Sequence, residues 1–276
     1  MKAGEVLNRH IQTQTEWEKS IATRIIEQTR AQIYLDQRYL TAALGALPPA
    51  ECAGIFAFST DGAQLYYPSD WVIRLYRQNR RYLARAYLHS VLHCIFRHPW
   101  LRGGRDPDVW GLACDIAVEE IIRELDIPSC ALPSDAGQRD WFLRLQEACP
   151  KMTAQELYNF LLERQYPADV RAELREKFAR DSHLLWEVRP GKTGGRKPGG
   201  ERIPLAPEEP PDASDDLDEL NPPSPEDDAT REELERRQRE ALRKQWKQLA
   251  RQAKADLETF SRRHGKRAGA LMDGLA

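Results

Sequence analysis

Residues 88–99 read LHSVLHCIFRHP, and this stretch holds three of the six histidines of a 276-residue chain within ten positions. His89 and His93 are four apart in a segment whose apolar spacing predicts a helix over about 70–97, stopped by Pro99. Four residues of helix advance about 6 Å and return to the same face, so two imidazoles at this spacing can converge on one divalent ion with Zn–N bonds near 2.1 Å. His98 lies about 180° round an unbroken helix from His89 and joins them only if the helix ends before Pro99. Two histidines leave a zinc site incomplete, so a further ligand has to come from another element.

Residues 110–122, WGLACDIAVEEII, supply one: Asp115 and Glu119 are also four apart, among Leu112, Ile116, Ile121 and Ile122. Carboxylates in so apolar a helix are costly unless something pairs or coordinates them. The ordinary alternative is that Asp115 salt-bridges Arg97 or Arg102 and that the histidine pair is merely packed. Ser90 does not make a hydrolase triad with its neighbours, since it lies on the helix beside them and no GxSxG elbow is present.

Outward from these helices, residues 54–70, GIFAFSTDGAQLYYPSD, predict a small hairpin of GIFAF and AQLYY turning through Thr60, Asp61 and Gly62. A first helical region is expected from about Gly4 to Leu44, weak around Thr29–Asp36 and closed by PPAE. Thr153 with Glu156, and Pro167, open two further helices. Residues 190–230 then hold 9 of the 18 prolines, and residues 201–230 hold 11 acids against one arginine. Such a stretch buries too little to offset the entropy of ordering, so 190–229 is expected to be a disordered linker. Its GKTGGRKPGG is no phosphate loop: no strand precedes it and Pro198 denies a following helix. From Thr230, which makes a capping box with Glu233, residues 230–276 predict a long basic helix, with 13 Lys+Arg against 7 Asp+Glu after Thr230. Leu234, Leu242, Trp246, Leu249, Ala253, Leu257 and Phe260 form an apolar stripe that needs a partner surface, either the main domain or another helix.

The whole chain carries 41 Lys+Arg and 43 Asp+Glu, which gives no reason to expect nucleic acid or an anionic membrane as partner. No apolar run suits a membrane span or a signal peptide, so a soluble cytoplasmic protein is expected. Five cysteines without a CxxC pair argue against a disulfide framework.

Several blocks in order, STDGAQLYYPSDWVIRL, LARAYLHSVLHCIFRHPWLRGGRDPDVWGLACDIAVEEII, MTAQELYNFLLE and DSHLLW, resemble the predicted metal-dependent peptidases whose N-terminal domain is usually followed by a von Willebrand A-like domain. The resemblance spans about residues 5–187, with a weaker echo in FSRRHGKRAG. It implies an α+β, mostly helical, zincin-like domain over residues 1–189, one zinc per chain, and a MoxR-type AAA+ ATPase as partner. The family's HExxH and following histidine fall on His89, His93 and His98, its next-helix Asp on Asp115, and its DxHxxW on Asp181, His183 and Trp186. The glutamate of HExxH, which would be the general base, is Ser90 here, and the family's Asn is Glu119. No DxSxS occurs, and the 46 residues after Thr230 are too few for a von Willebrand A-like sheet; they read as a remnant or the start of a further domain. Two functions are thus expected to compete. One is a degenerate, metal-binding domain that acts through protein contacts, its helix recruiting the partner. The other is an active zinc peptidase in which Glu119, or less favourably Glu120, replaces the missing base.

Overall fold

The computed structural model describes residues 13–133, 135–186, 195–196, 202–203 and 225–264. It is mostly helical, with one small sheet and a long C-terminal helix, as the sequence implies. Helix α1 (Gln14–Asp36) starts at a complete capping box between Thr13 and Glu16. It runs unbroken through 29–36, where a weak point is expected. Ala22, Ile26, Thr29 and Ile33 are all buried along one face, and that packing outweighs the low helix propensity of β-branched residues. After the short α2 (Thr41–Gly45), strand β1 (Pro49–Glu51) pairs in parallel with β3 (Leu65–Tyr67), and β2 (Ser59–Thr60) pairs antiparallel with β3. The hairpin turn falls where expected, but only Ser59–Thr60 of the first arm is strand, and PPAE contributes a strand of its own.

Helix α3 (Ser69–Ile95) breaks inside, at Asn79 (φ −161°, ψ 97°). The Asn79 side chain accepts from the backbone N–H of Arg81 at 3.0 Å and of Tyr82 at 3.3 Å, so it caps a second helix within an apparently continuous pattern. That second half carries His89 and His93. Arg97 in the left-handed conformation (φ 61°) ends the run, and α4 (His98–Leu101) begins at once with Pro99 in its first turn. Helix α5 (Pro107–Leu125) is capped by Asp106, whose Oδ1 accepts from Val109 N–H at 2.9 Å. Helices α6 (Ala136–Ala148), α7 (Ala154–Arg164) and α8 (Ala168–Phe178) build a second apolar cluster against one face of α5, while Val118, Ile121 and Ile122 of α5 enter the cluster shared by α1 and α3. Helix α5 is therefore the wall between two cores. Asp115 and Glu119 meet His89 of α3.

Most of 190–224, expected to be a linker, lies outside the described residues; within it Gly195–Arg196 (β4) pairs antiparallel with Arg202–Ile203 (β5). The last helix, α9 (Pro225–His264), begins five residues before the expected cap. Pro225 suits a first turn, where the N–H that proline lacks would have no intrahelical acceptor. Trp246, Ala250, Ala253 and Leu257 are buried in the α1–α3 core, so the stripe packs back on the main domain. Among the described residues no helix is long and apolar enough to cross a membrane.

Candidate metal centre

The packing of α3 on α5 brings His89 and His93 against Asp115 and Glu119. His89 Nε2 lies 3.1 Å from Asp115 Oδ1, and His93 Nε2 lies 3.3 Å from the same oxygen. Asp181, on the segment after α8, brings its Oδ1 to 3.9 Å from both Nε2 atoms. His89, His93, Asp115 and Asp181 each offer one donor atom, all within 4.8 Å of one another. Two donors bound at about 2.1 Å to one ion lie about 3.0–3.9 Å apart for angles of about 90–135°, so these separations fit a shared divalent cation.

A second observation agrees. His93 Nε2, Asp181 Oδ1 and His183 Nε2 are all buried without a hydrogen-bond partner. Buried polar atoms are almost always satisfied, and three exceptions gathered beside Asp115 are what a shared cation would satisfy. The donor chemistry, imidazole with carboxylate, suits a borderline to hard divalent ion.

The flanking groups aim the ligands. Glu119 Oε1 lies 3.0 Å from His89 Nδ1, which fixes a proton on Nδ1 and turns Nε2 toward the cluster. Its other oxygen receives Arg85 Nε at 2.9 Å and lies 3.5 Å from Arg180 Nε. Burial would raise the Glu119 pKa, but the His89 hydrogen bond and the Arg85 and Arg180 charges hold it below the usual carboxylate value. Glu119 thus meets the edge of His89 away from the cluster. Glu120 is turned elsewhere, paired with Arg123 at 2.6 Å and accepting from Gln146 at 2.7 Å.

His98 takes the corresponding place behind His93. The helix does end before Pro99, yet the His98 ring meets His93 from the far side, Nδ1 to Nδ1 at 2.9 Å, and stands outside the four-residue donor set. Burial lowers both rings, His93 to about 4 and His98 well below the ordinary value, so both are neutral and His93 Nδ1–H donates when its Nε2 lone pair faces the cluster. Asp115 is not paired with Arg97 or Arg102; its carboxyl lies among three imidazoles. Against the cost of burial, the nearby His183, then His89 and His93, hold it well below the usual range.

In the metal-free protein His89 and His183 are rich in protons. Burial would depress them, but the hydrogen bonds of Asp115 and Glu119 lift His89 to about 9, and Asp115 with Asp181 lifts His183 to about 10. An ion held by these residues would have to displace those protons.

Ser90 stands at the position of the absent glutamate. Its hydroxyl is within reach of Ala86 O at 3.2 Å and donates to Asp181 Oδ2 at 2.6 Å. Asp181 and His183 were the residues that spacing alone left without a role; the only trace of them in the sequence is the DSHLLW block.

No curated protein and no solved structure matches the chain. One family model does, over residues 22–265, a span that takes in α3, α5, the segment with Asp181 and His183, and α9. Its description is "Putative metallopeptidase domain", and this chain belongs to that family.

Proposed function

We propose that this is a metal-holding member of its family in which the peptidase chemistry has been lost, and that it acts through contacts with other proteins. The observation that carries this reading is Ser90 and its 2.6 Å hydrogen bond to Asp181. The carboxylate base of HExxH would have to stand within about 3.2 Å of the water, with lone pairs free to take the proton. Ser90 offers none near neutral pH. Glu119 serves His89 Nδ1 and Arg85, and Asp181 is turned by Ser90 so that one oxygen faces the donor set.

His89, His93, Asp115 and Asp181 would hold the ion, and zinc is the first candidate. When bound, such an ion supplies Lewis-acid polarisation and a lowered pKa for any water it carries. Four protein donors already match a closed structural site, whereas catalytic zinc keeps three and leaves a position open. The reading in which Glu119 is the base needs that carboxylate on the other edge of His89.

Elemental analysis of protein purified without added metal, joined to a casein and mixed-peptide assay, tests the reading. The expected result is close to one divalent ion per chain and no hydrolysis above that of chelator-treated protein. Ser90→Glu should gain no activity, because the new carboxylate meets Asp181. Metal-dependent hydrolysis that Glu119→Gln reduces by at least about 100-fold would restore the peptidase reading. Less than about 0.2 equivalents after zinc loading and desalting would end the metal-holding one.

For the interaction role, Arg236, Arg237, Arg243 and Lys244 of α9 line, with Arg239, Glu240 and Trp100, a surface cavity of about 590 Å³. An acidic face of a MoxR-type AAA+ ATPase is the partner we propose. Co-purification should weaken steeply when Arg236, Arg237 and Arg243 are replaced by glutamate, and binding indifferent to that change would exclude this surface.

A further inference from the structure

We propose that His183 is a fifth ligand of the centre, closing the shell of a first-row divalent ion against water. The proposal rests on the metal-holding reading above and extends it to coordination number and solvent access.

His183 Nε2 stands outside the four-residue donor set, yet it lies 3.0 Å from Asp115 Oδ1 and 3.3 Å from Asp181 Oδ1, as close to the two carboxylates as the other imidazoles are. These are close approaches without hydrogen-bond geometry, for the atom is buried and unpartnered. An imidazolium serving only as a counter-ion would turn its N–H onto one of the two carboxylates. Here the nitrogen is directed between them, as a ligand to something both carboxylates also face.

Three independent contacts hold the ring in that pose. The backbone of Ser182 is pinned to the sheet edge, its N–H donating to Phe58 O at 2.7 Å and its carbonyl accepting from Ser59 Oγ at 2.7 Å. The indole of Trp186 stacks on the imidazole with centroids 3.7 Å apart and planes 24° from parallel. Gly111 of α5 makes room beneath: a Cβ there would stand 2.7 Å from His183 Nδ1, closer than real Cβ contacts come. A glycine in the interior of a helix costs about 1 kcal/mol against alanine, and the ring explains its presence.

Exposure gives the ring its consequence. The side chains of His89, His93 and Asp181 are fully buried and Asp115 is 5% exposed, whereas His183 is 21% exposed. His183 therefore stands between the donor set and solvent. As a ligand it occupies the direction from which water or a scissile carbonyl would reach the ion. Three imidazoles and two carboxylates then satisfy a five-coordinate ion with no place for substrate.

X-ray absorption at the zinc edge of the zinc-loaded full chain tests this, because outer-shell scattering counts imidazoles. Three are expected, and two would overturn the proposal. In parallel, zinc affinity is measured by competition with a chromophoric chelator. His183→Gln should bind zinc at least about 100-fold more weakly, the upper end of what loss of a supporting residue costs. Gly111→Ala, which removes no donor and only displaces the ring, should weaken binding about 10-fold. Parent-like affinity in either variant counts against a ligand role. A parent that takes up no zinc overturns the metal-holding reading itself, and this proposal with it; a parent that takes up zinc on two imidazoles overturns the fifth ligand alone.

Discussion

Asp115→Asn is expected to leave the protein unable to retain added zinc through desalting, and zinc should no longer raise its melting temperature. One oxygen of Asp115 lies 3.1, 3.3 and 3.0 Å from the Nε2 atoms of His89, His93 and His183, so it is the hub on which three rings converge. Asparagine keeps the volume and loses the charge. The expected fall in affinity is at least about 100-fold, since loss of a mere supporting residue already costs 10–100-fold. The metal-free protein suffers too. Its centre balances carboxylates against proton-rich His89 and His183, and breaking a buried pair from one side costs about 3–5 kcal/mol. Chelator competition and thermal unfolding with and without zinc read both effects. Full zinc retention by Asp115→Asn would place the ion elsewhere.

The second large effect lies far from the centre. Trp246→Ala should lower stability by about 3–5 kcal/mol, the usual cost of deleting a buried aromatic. Trp246 is 0% exposed in the α1–α3 core, and its Nε1–H donates to Gly62 O at 2.8 Å. Truncation removes the apolar area and also leaves a buried carbonyl unpaired. For a domain of this size each 1 kcal/mol shifts the melting temperature by about 2–4 °C, so a drop of about 10 °C is expected. Leu234→Ala on the same helix, where the leucine is 56% exposed, should change stability by no more than about 0.5 kcal/mol. Equal effects of the two substitutions would mean that α9 does not dock through this face.

Spacing at four residues made the helix pairs legible: His89 with His93, and Asp115 with Glu119, each share a face, and an apolar helix with two carboxylates has to turn them inward. Which nitrogen meets which oxygen was not legible, because that depends on how far α3 slides along α5. Hence Glu119 could be expected at the water and is found behind His89, and His98 could be expected as a ligand and is found behind His93. Asp181 and His183 follow Asp115 by more than sixty positions and are placed by backbone bonds to Phe58 and Ser59. No local periodicity encodes contacts of that kind. The stripe on α9 was plain in the sequence, but a stripe names no destination. The break at Asn79 was hidden for another reason: the polar run at 77–81 is equally at home on an exposed helix face, and gives no sign that the Asn79 side chain will cap the next turn.

Arg239 of α9 reaches from the C-terminal helix to two carbonyls, Pro99 O at 3.3 Å and Trp186 O at 3.4 Å. Those carbonyls belong to the turns that carry His98 and His183. The two turns on either side of the candidate centre are thus tied together by one guanidinium on a helix that supplies none of the four donors. Local opening of α9 would therefore loosen both turns at once without touching a donor atom.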